Sequence, residues 1–332
     1  MYSPVVAVID SGVDMKNQVI MQRILDGFSF ERRTEKNMIT ESSNYNDVFG
    51  HGTNCIDYIL QLADNARFYP IKIVNEFGKT TTELLIAALK KCIDLPIDIV
   101  CLSLSVTRSI DRSYEKELHN VCDVLAEKGM LICASDGNNM RNTMPAIFDS
   151  VIGVKENCIN AKKMISVDKC EKVQVQADIS PVFVAGKSGQ YNFFKGTSKA
   201  NAYIAGSLAA FMQRGKKFES IEDALNELGK IKDVPIVIKG AELGRLPSDE
   251  LGQSLLCHIQ KILREFGCTS NAEEISKYPF FSKITGITFF NFYDFINKMY
   301  ADLNIIERDY HTIRIEDVCT LYNLVEHLRR KI

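Results

Sequence analysis

The chain of 332 residues holds no run of about 18 apolar residues, the length that a transmembrane helix requires. Its first residues, Met-Tyr-Ser-Pro followed by Val-Val-Ala-Val-Ile-Asp10, lack the basic stretch, long apolar run and small-residue cleavage site of a secretory signal. Charge of neither sign is in excess. The 40 Lys and Arg residues face 42 Asp and Glu, a net of -2. Nothing in that balance points to nucleic acid or an anionic membrane surface. No Cys-x-x-Cys pair occurs and the five histidines are scattered, so no metal site of Cys/His type and no cofactor is expected. No Gly-rich loop leads into Gly-Lys-Ser/Thr, and no Gly-x-Ser-x-Gly elbow is present. A phosphate-binding enzyme and an α/β-hydrolase are both disfavoured.

Ten cysteines are present. An even number admits disulfides. Several, however, sit inside apolar runs such as Ile-Val-Cys101-Leu-Ser and Leu-Ile-Cys133-Ala-Ser, where small buried thiols fit. Without a signal, a reduced cytoplasmic protein is the expectation. At 46% hydrophobic and 25% charged, the composition is that of a globular protein of about two domains.

Residues 4–9 read as a buried strand that ends on Asp10, before Ser11-Gly12. After Gly50-His51-Gly-Thr, Ile56, Ile59, Leu60 and Ala63 recur at helical spacing, which puts His51 near a helix N-terminus. Strands at 68–74, 97–104 and 130–134 alternate with helices at 82–92 and 113–127. That alternation predicts an α/β domain with a mostly parallel sheet. Residues 151–154 and 182–185 read as later strands, and 198–211 as an alanine-rich helix. The first domain ends near residue 212 or after a short helix at 221–228. Residues 231–249, with Pro235, Gly240, Gly244 and Pro247, read as a connector that includes a short strand at 236–238. The last 80 or so residues read as about four helices, among them 251–266, 289–303 and 315–330.

A serine hydroxyl becomes a nucleophile when a neutral imidazole takes its proton and a carboxylate fixes that imidazole's tautomer. Asp10, His51 and Ser198 occur in one of the known chain orders for this arrangement, each at the end of a suitable element. Asn138, in Ala-Ser-Asp-Gly-Asn after a strand, adds a donor for a developing oxyanion. The Ser198 N–H at a helix start adds a second. Each segment alone is an ordinary turn or cap; the four together point to acyl transfer.

Residues 5–210 resemble the subtilisin (subtilase) family of serine endopeptidases. The resemblance rests on Asp10-Ser-Gly, Gly-His51-Gly-Thr, Gly-Thr-Ser198-Lys-Ala and Gly-Asn138. It implies a three-layer α/β fold and makes Asp10, His51, Ser198 and Asn138 the catalytic residues. It also makes Ser103, Leu104 and Ser105 an edge along which an extended peptide pairs. Subtilisins usually continue Met-Ala-x-Pro-His after the nucleophile. This chain has Lys199-Ala-Asn201-Ala-Tyr203. Lys199 beside the nucleophile and Asp136 before Gly-Asn are then expected to face substrate. The signal and propeptide of secreted subtilisins are not expected here, and no calcium loop is identified.

Residues 250–332 resemble an acyl carrier protein in helix order and length. Phe289 stands at the serine that would carry phosphopantetheine, so the resemblance implies a degenerate carrier-like domain that tethers nothing. Phe289 and Phe292, where exposed, would mark a surface for a partner protein. The expected organisation is a protease domain at 1–230, a linker at 231–249 and an all-helical carrier-like domain at 250–332. The expected function is selective cleavage of a peptide or protein substrate, such as leader removal from a ribosomal precursor peptide. The alternatives are a peptide-holding scaffold without turnover and a self-processing protein. A membrane span and a nucleic-acid partner are not expected.

Overall fold

The computed structural model describes residues 2–33, 38–106, 112–137, 143–156, 165–231, 243–306 and 308–332. Its contacts divide the chain into two units. One comprises Met1–Ser180, Ala185–Gly189 and Lys195–Pro235; the other comprises Pro181–Val184, Gln190–Phe194 and Ile236–Ile332.

The first unit begins with β1 (Val5–Asp10), α1 (Gln18–Met21), β2 (Phe28–Arg33), β3 (Met38–Ser42) and α2 (His51–Leu62). It continues through β4 (Arg67–Lys72), α3 (Thr82–Cys92), β5 (Ile99–Leu102), α4 (Arg112–Glu127) and β6 (Leu131–Ser135). Then come β7 (Ile152–Glu156), β8 (Ile165–Val167) and β9 (Val175–Ala177). After the hairpin strands β10 (Val182–Ala185) and β11 (Tyr191–Phe194), it resumes with α5 (Thr197–Gln213) and α6 (Ile221–Leu228).

Nine strands form one sheet in the order β3-β2-β4-β1-β5-β6-β7-β9-β8. The pairings from β2 across to β9 are parallel. The edge strands β3 and β8 are antiparallel to their neighbours. Ala7, Ile9, Val100, Leu102, Ile132 and Ala134 face a core shared with α3 and α4. Side chains alternate along a strand, so Val6, Val8 and Asp10, like Cys101 and Ser103, point to the other face. There α2 and α5 pack on each other and on the sheet. The alternation thus aims the last carboxylate of β1 at the helix that begins with His51.

The three-layer α/β architecture is as expected, but four strands lack a clear pattern in the sequence. β3 is mostly exposed, and β8 and β9 have three residues each. β2 carries charge in its second half, as Phe-Ser-Phe-Glu-Arg-Arg. Short or edge strands need no continuous apolar run, so periodicity does not report them. Residues 182–185 form a strand, but of a separate two-stranded sheet with β11.

The second unit is mostly helical: α7 (Glu250–Glu265), α8 (Ala272–Ser276), α9 (Phe292–Asp302), α10 (Ile315–Val318) and α11 (Leu321–Arg329). It is not all-helical, because the β10–β11 hairpin lies in its core. Phe183 and Phe193 are buried with Leu256, Ile259, Phe292, Phe295 and Leu324. Phe183 meets the rings of Phe193 and Phe292 at 4.9 and 5.6 Å, while Tyr191 meets Tyr310 at 4.7 Å. The helix expected at 289–303 starts at Phe292, which is buried, so Phe292 is not part of an exposed aromatic surface. Phe289 is half-buried against Phe281 and Phe193, and Phe290 is the exposed ring, at 96%. The helix expected at 315–330 is broken at Cys319, where Thr320 accepts from Asn323 N and caps α11. The strand expected at 236–238 and most of the expected linker lie outside the described residues.

Phe183→Ala should remove the central ring of this cluster and destabilise the second unit by about 3–5 kcal/mol. With no tryptophan in the chain, urea unfolding followed by near-ultraviolet circular dichroism of tyrosine would measure it.

Candidate active site

Asp10 closes β1 with its side chain buried. Both of its carboxylate oxygens lie against His51 Nδ1, at 2.9 and 2.8 Å. Ser11 N donates to Asp10 Oδ1 at 2.7 Å, and Ser11 Oγ accepts from Gly52 N at 2.9 Å. The strand end therefore grips the first turn of the histidine helix at two points. An Nδ1–H donor to Asp10 leaves Nε2 as the basic nitrogen of neutral His51. The His51 side chain is 27% exposed.

The helix start is built for close approach. Gly50 precedes His51 at φ +98, in the left-handed region, and supplies no side-chain cap. Asp47 caps instead: it accepts from Gly50 N at 2.6 Å, Thr53 N at 2.9 Å and Thr53 Oγ1 at 2.7 Å. A Cβ at Gly52 would lie 2.3 Å from the Gly12 carbonyl oxygen and 3.2 Å from Asp10 Cβ. Only glycine lets His51 come this near β1.

Ser198 is the second residue of α5, whose N-cap Gly196 sits at φ +84. The Ser198 hydroxyl is 3.5 Å from the Ser103 carbonyl oxygen, and Ser103 Oγ donates to the Ser198 carbonyl at 3.3 Å. Asn201, one turn on, aims its Nδ2 at Ser103 Oγ, Cys101 Sγ and the Cys133 carbonyl, each at 3.4 Å. The nucleophile candidate is thus stitched to the carboxyl ends of β5 and β6.

Burial alone would push the His51 imidazole down. The Asp10 carboxylate outweighs it and holds the pKa well above the ordinary histidine value. Cys55 Sγ lies 4.0 Å from both His51 Nδ1 and Asp10 Oδ2. Asp10, His51 and Cys55 offer an oxygen, a nitrogen and a sulfur within 4.8 Å, a partial donor set for a metal ion. Burial pushes the Cys55 thiol up. Without a metal it is held as a thiol.

A sequence profile of the Subtilase family matches residues 3–228. The chain belongs to the subtilase family of serine proteases. This subtilase is 25% identical to an intracellular serine protease of Paenibacillus polymyxa over 63% of its own length and 66% of that protein's. It is 24% identical to subtilisin DY of Bacillus licheniformis, over 63% of this chain and 76% of that one. Against Subtilisin-like protease 4 of Trichophyton equinum it is 23% identical and spans 55% of that chain. The crystal structure of a cold adapted subtilisin-like serine proteinase superposes with a TM-score of 0.55 at 20% identity, over 69% of this chain and 81% of that one. The profile match stops before the helices of the second unit.

Two expectations for the subtilase site need correction. Lys199 does not face substrate: it is 1% exposed, and its Nζ is 2.7 Å from Asp178 Oδ2. Asp136 does not line a substrate wall. It is buried, and its Oδ1 accepts from Gly137 N, Thr143 N and Thr143 Oγ1 at 3.1, 2.8 and 2.7 Å. It braces both ends of the segment that carries Asn138, which itself lies outside the described residues. Ser103 is buried, while Leu104 and Ser105 are half-buried and follow β5 outside any strand. The half-buried Leu104 side chain packs against the α3–α4 core.

The hydrogen-bonding roles of Asp47, Ser11, Thr53, Asn201 and Asp178 went unread in the sequence. Ser11, Thr53 and Asn201 stand within the segments that carry Asp10, His51 and Ser198, and Asp47 stands three residues before the glycine that opens the helix. Asp47→Ala should cost about 2 kcal/mol of stability, the upper end for a lost helix cap, read as a lower urea midpoint.

Proposed function

We propose that this subtilase is a serine endopeptidase in which Asp10, His51 and Ser198 form the proton relay and Asn138 helps to hold the oxyanion. The observation that carries this reading is the two-oxygen contact of Asp10 with His51 Nδ1, on the side of the ring away from the basic nitrogen. In the cycle, neutral His51 Nε2 takes the Ser198 proton as Oγ attacks the scissile carbonyl. The new oxyanion lies against the Ser198 N–H and the Asn138 amide. His51 then protonates the leaving amine, and a water hydrolyses the acyl-enzyme by the same steps in turn. The Ser198 bond to the Ser103 carbonyl, at 3.5 Å, is weak and is exchanged for His51 when substrate arrives.

The substrate is an extended peptide lying along the backbone of 103–105. Leader removal from a ribosomal precursor peptide is the specific role we assign, with the second unit as a degenerate carrier-like module that recruits a protein partner. The exposure of Phe290 supports its docking role. A cytoplasmic setting is supported by the nine described cysteines, all of which are free. Among the described residues no helix is long and apolar enough to cross a membrane.

A second reading, a scaffold that holds peptide without cutting it, is favoured by the bond of the Ser198 hydroxyl to Ser103 O. A fluorophosphonate probe separates the two. Covalent labelling of the wild type, lost in Ser198→Ala together with peptide cleavage, is the expected result. Folded wild type that binds peptide and takes no label would establish the scaffold.

The pH dependence follows from His51. Asp10 stabilises the imidazolium, whereas the base must be neutral, so kcat/KM should rise with pH through a midpoint above about 6.5. The same pairing contributes stability that is full below about pH 6.5 and fades as pH climbs through the raised folded-state pKa. Asp10→Asn should lower that midpoint and cut kcat by about 10⁴, measured in a pH–rate profile.

A further inference from the structure

Lys199 occupies a site that ordinary surface chemistry does not explain. It is the residue directly after Ser198 and one of the largest fully buried side chains in the described structure. Its Nζ donates to Asp178 Oδ2 at 2.7 Å and to the Asp178 carbonyl at 3.0 Å. It lies 5.6 Å from the ring centre of Tyr58, on α2, and 5.5 Å from that of Tyr203, on α5. The two rings are themselves stacked, with centres 6.3 Å apart. A buried ammonium survives only with such compensation. Asp178 is fixed in turn by Ser180, whose Oγ donates to Oδ1 at 2.6 Å and whose N donates to Oδ2 at 3.1 Å.

The start of α5 needs holding. Gly196 gives it no side-chain cap. Two restraints on this turn come from the same short segment: Ile179 O accepts from Gly196 N at 3.2 Å, and Asp178 takes the Lys199 ammonium. Residues 178–179 therefore bracket Ser198 from the residue two before it and the residue after it. Tyr58 extends the bracket to the helix that begins with His51. The proline and histidine that subtilisins carry four and five residues after the nucleophile are Ala202 and Tyr203 here, so α5 lacks those means of fixing its first turn.

We propose that the buried Lys199–Asp178 pair is a positioning device for Ser198, holding the nucleophile's turn against the 178–180 segment and the histidine helix. This rests on the reading of Ser198 as the nucleophile. Neither residue touches the reacting atoms; the pair acts through the backbone of 196–199. A displacement of about 1 Å at a nucleophile costs on the order of 100-fold in rate, so the pair should register in kcat and not in KM.

The test uses the full chain with Lys199→Met, Asp178→Asn and the double variant. Urea midpoints, fluorophosphonate labelling rates and peptide kcat and KM are measured on each. Single variants leave a buried charge unpaired and should lose stability. The double variant removes both charges, while the new carboxamide at position 178 keeps a partner for Ser180, and it should recover most of the urea midpoint. The proposal expects the recovered double variant to label and turn over about 10- to 100-fold more slowly, with KM within about twofold and the pH midpoint unchanged. Lys199→Arg, which keeps the charge and its partner, should restore part of kcat. A double variant with wild-type kcat and labelling rate would reduce the pair to a structural one and overturn the proposal. Wild type that takes no label would instead overturn the assignment of Ser198, and this inference with it.

Discussion

The amino end of α2 comes so close to the carboxyl end of β1 that a methyl group at residue 52 would sit 2.3 Å from the Gly12 carbonyl oxygen. The candidate site depends on that approach. It brings the last side chain of a buried parallel strand, Asp10, onto the first side chain of a helix, His51, with no long reach from either. Burying a carboxylate is costly unless it is charge-paired and hydrogen-bonded. Here the imidazole and the Ser11 N–H supply both. The resulting electrostatics also set the chemistry, because the Asp10 carboxylate favours a proton on His51. The site is poised toward imidazolium, and a rise in pH releases the base.

Around that contact, the sheet and α5 act as a frame with little freedom. Asn201 bridges the ends of β5 and β6, and Ser103 exchanges two bonds with Ser198. Polar side chains inside this layer carry geometry, in the place where neighbouring positions carry Val, Ile and Ala. The network is not satisfied as a whole, because Asn201 Oδ1 is buried without a hydrogen-bond partner. The ammonium of Lys199 is better held, since its two acceptors and two rings leave it one place to lie.

Much of the frame was legible from the sequence. Asp10 ends β1, His51 begins α2 and Ser198 is the second residue of α5, and the switch between strand and helix periods marked those ends. The parallel core strands announced themselves as apolar runs because both faces are covered. What stayed hidden has a physical reason in each case. The strand 175–177 is too short to show a period. The bracing role of Asp136 depends on Thr143, seven residues away in sequence, which no local pattern reports. Lys199 misled for a similar cause: a lysine reads as solvated unless the carboxylate that buries it is known, and Asp178 is 21 residues distant in sequence. The break at Cys319–Thr320 was overlooked because the apolar stripe runs on across it while the backbone stops to be capped.

The β10–β11 hairpin has a consequence for how this protein can have been assembled. Its strands fall within residues 3–228, the stretch matched by the Subtilase profile, yet Phe183 and Phe193 belong to the core of the helical unit. No single point in the sequence parts the chain into two complete halves. A gene fusion that joined a free-standing helical module after residue 230 would have given that module no hairpin to fold around. Cutting the chain after residue 230 would part the helical unit from Phe183 and Phe193, two of the aromatic rings of its own core.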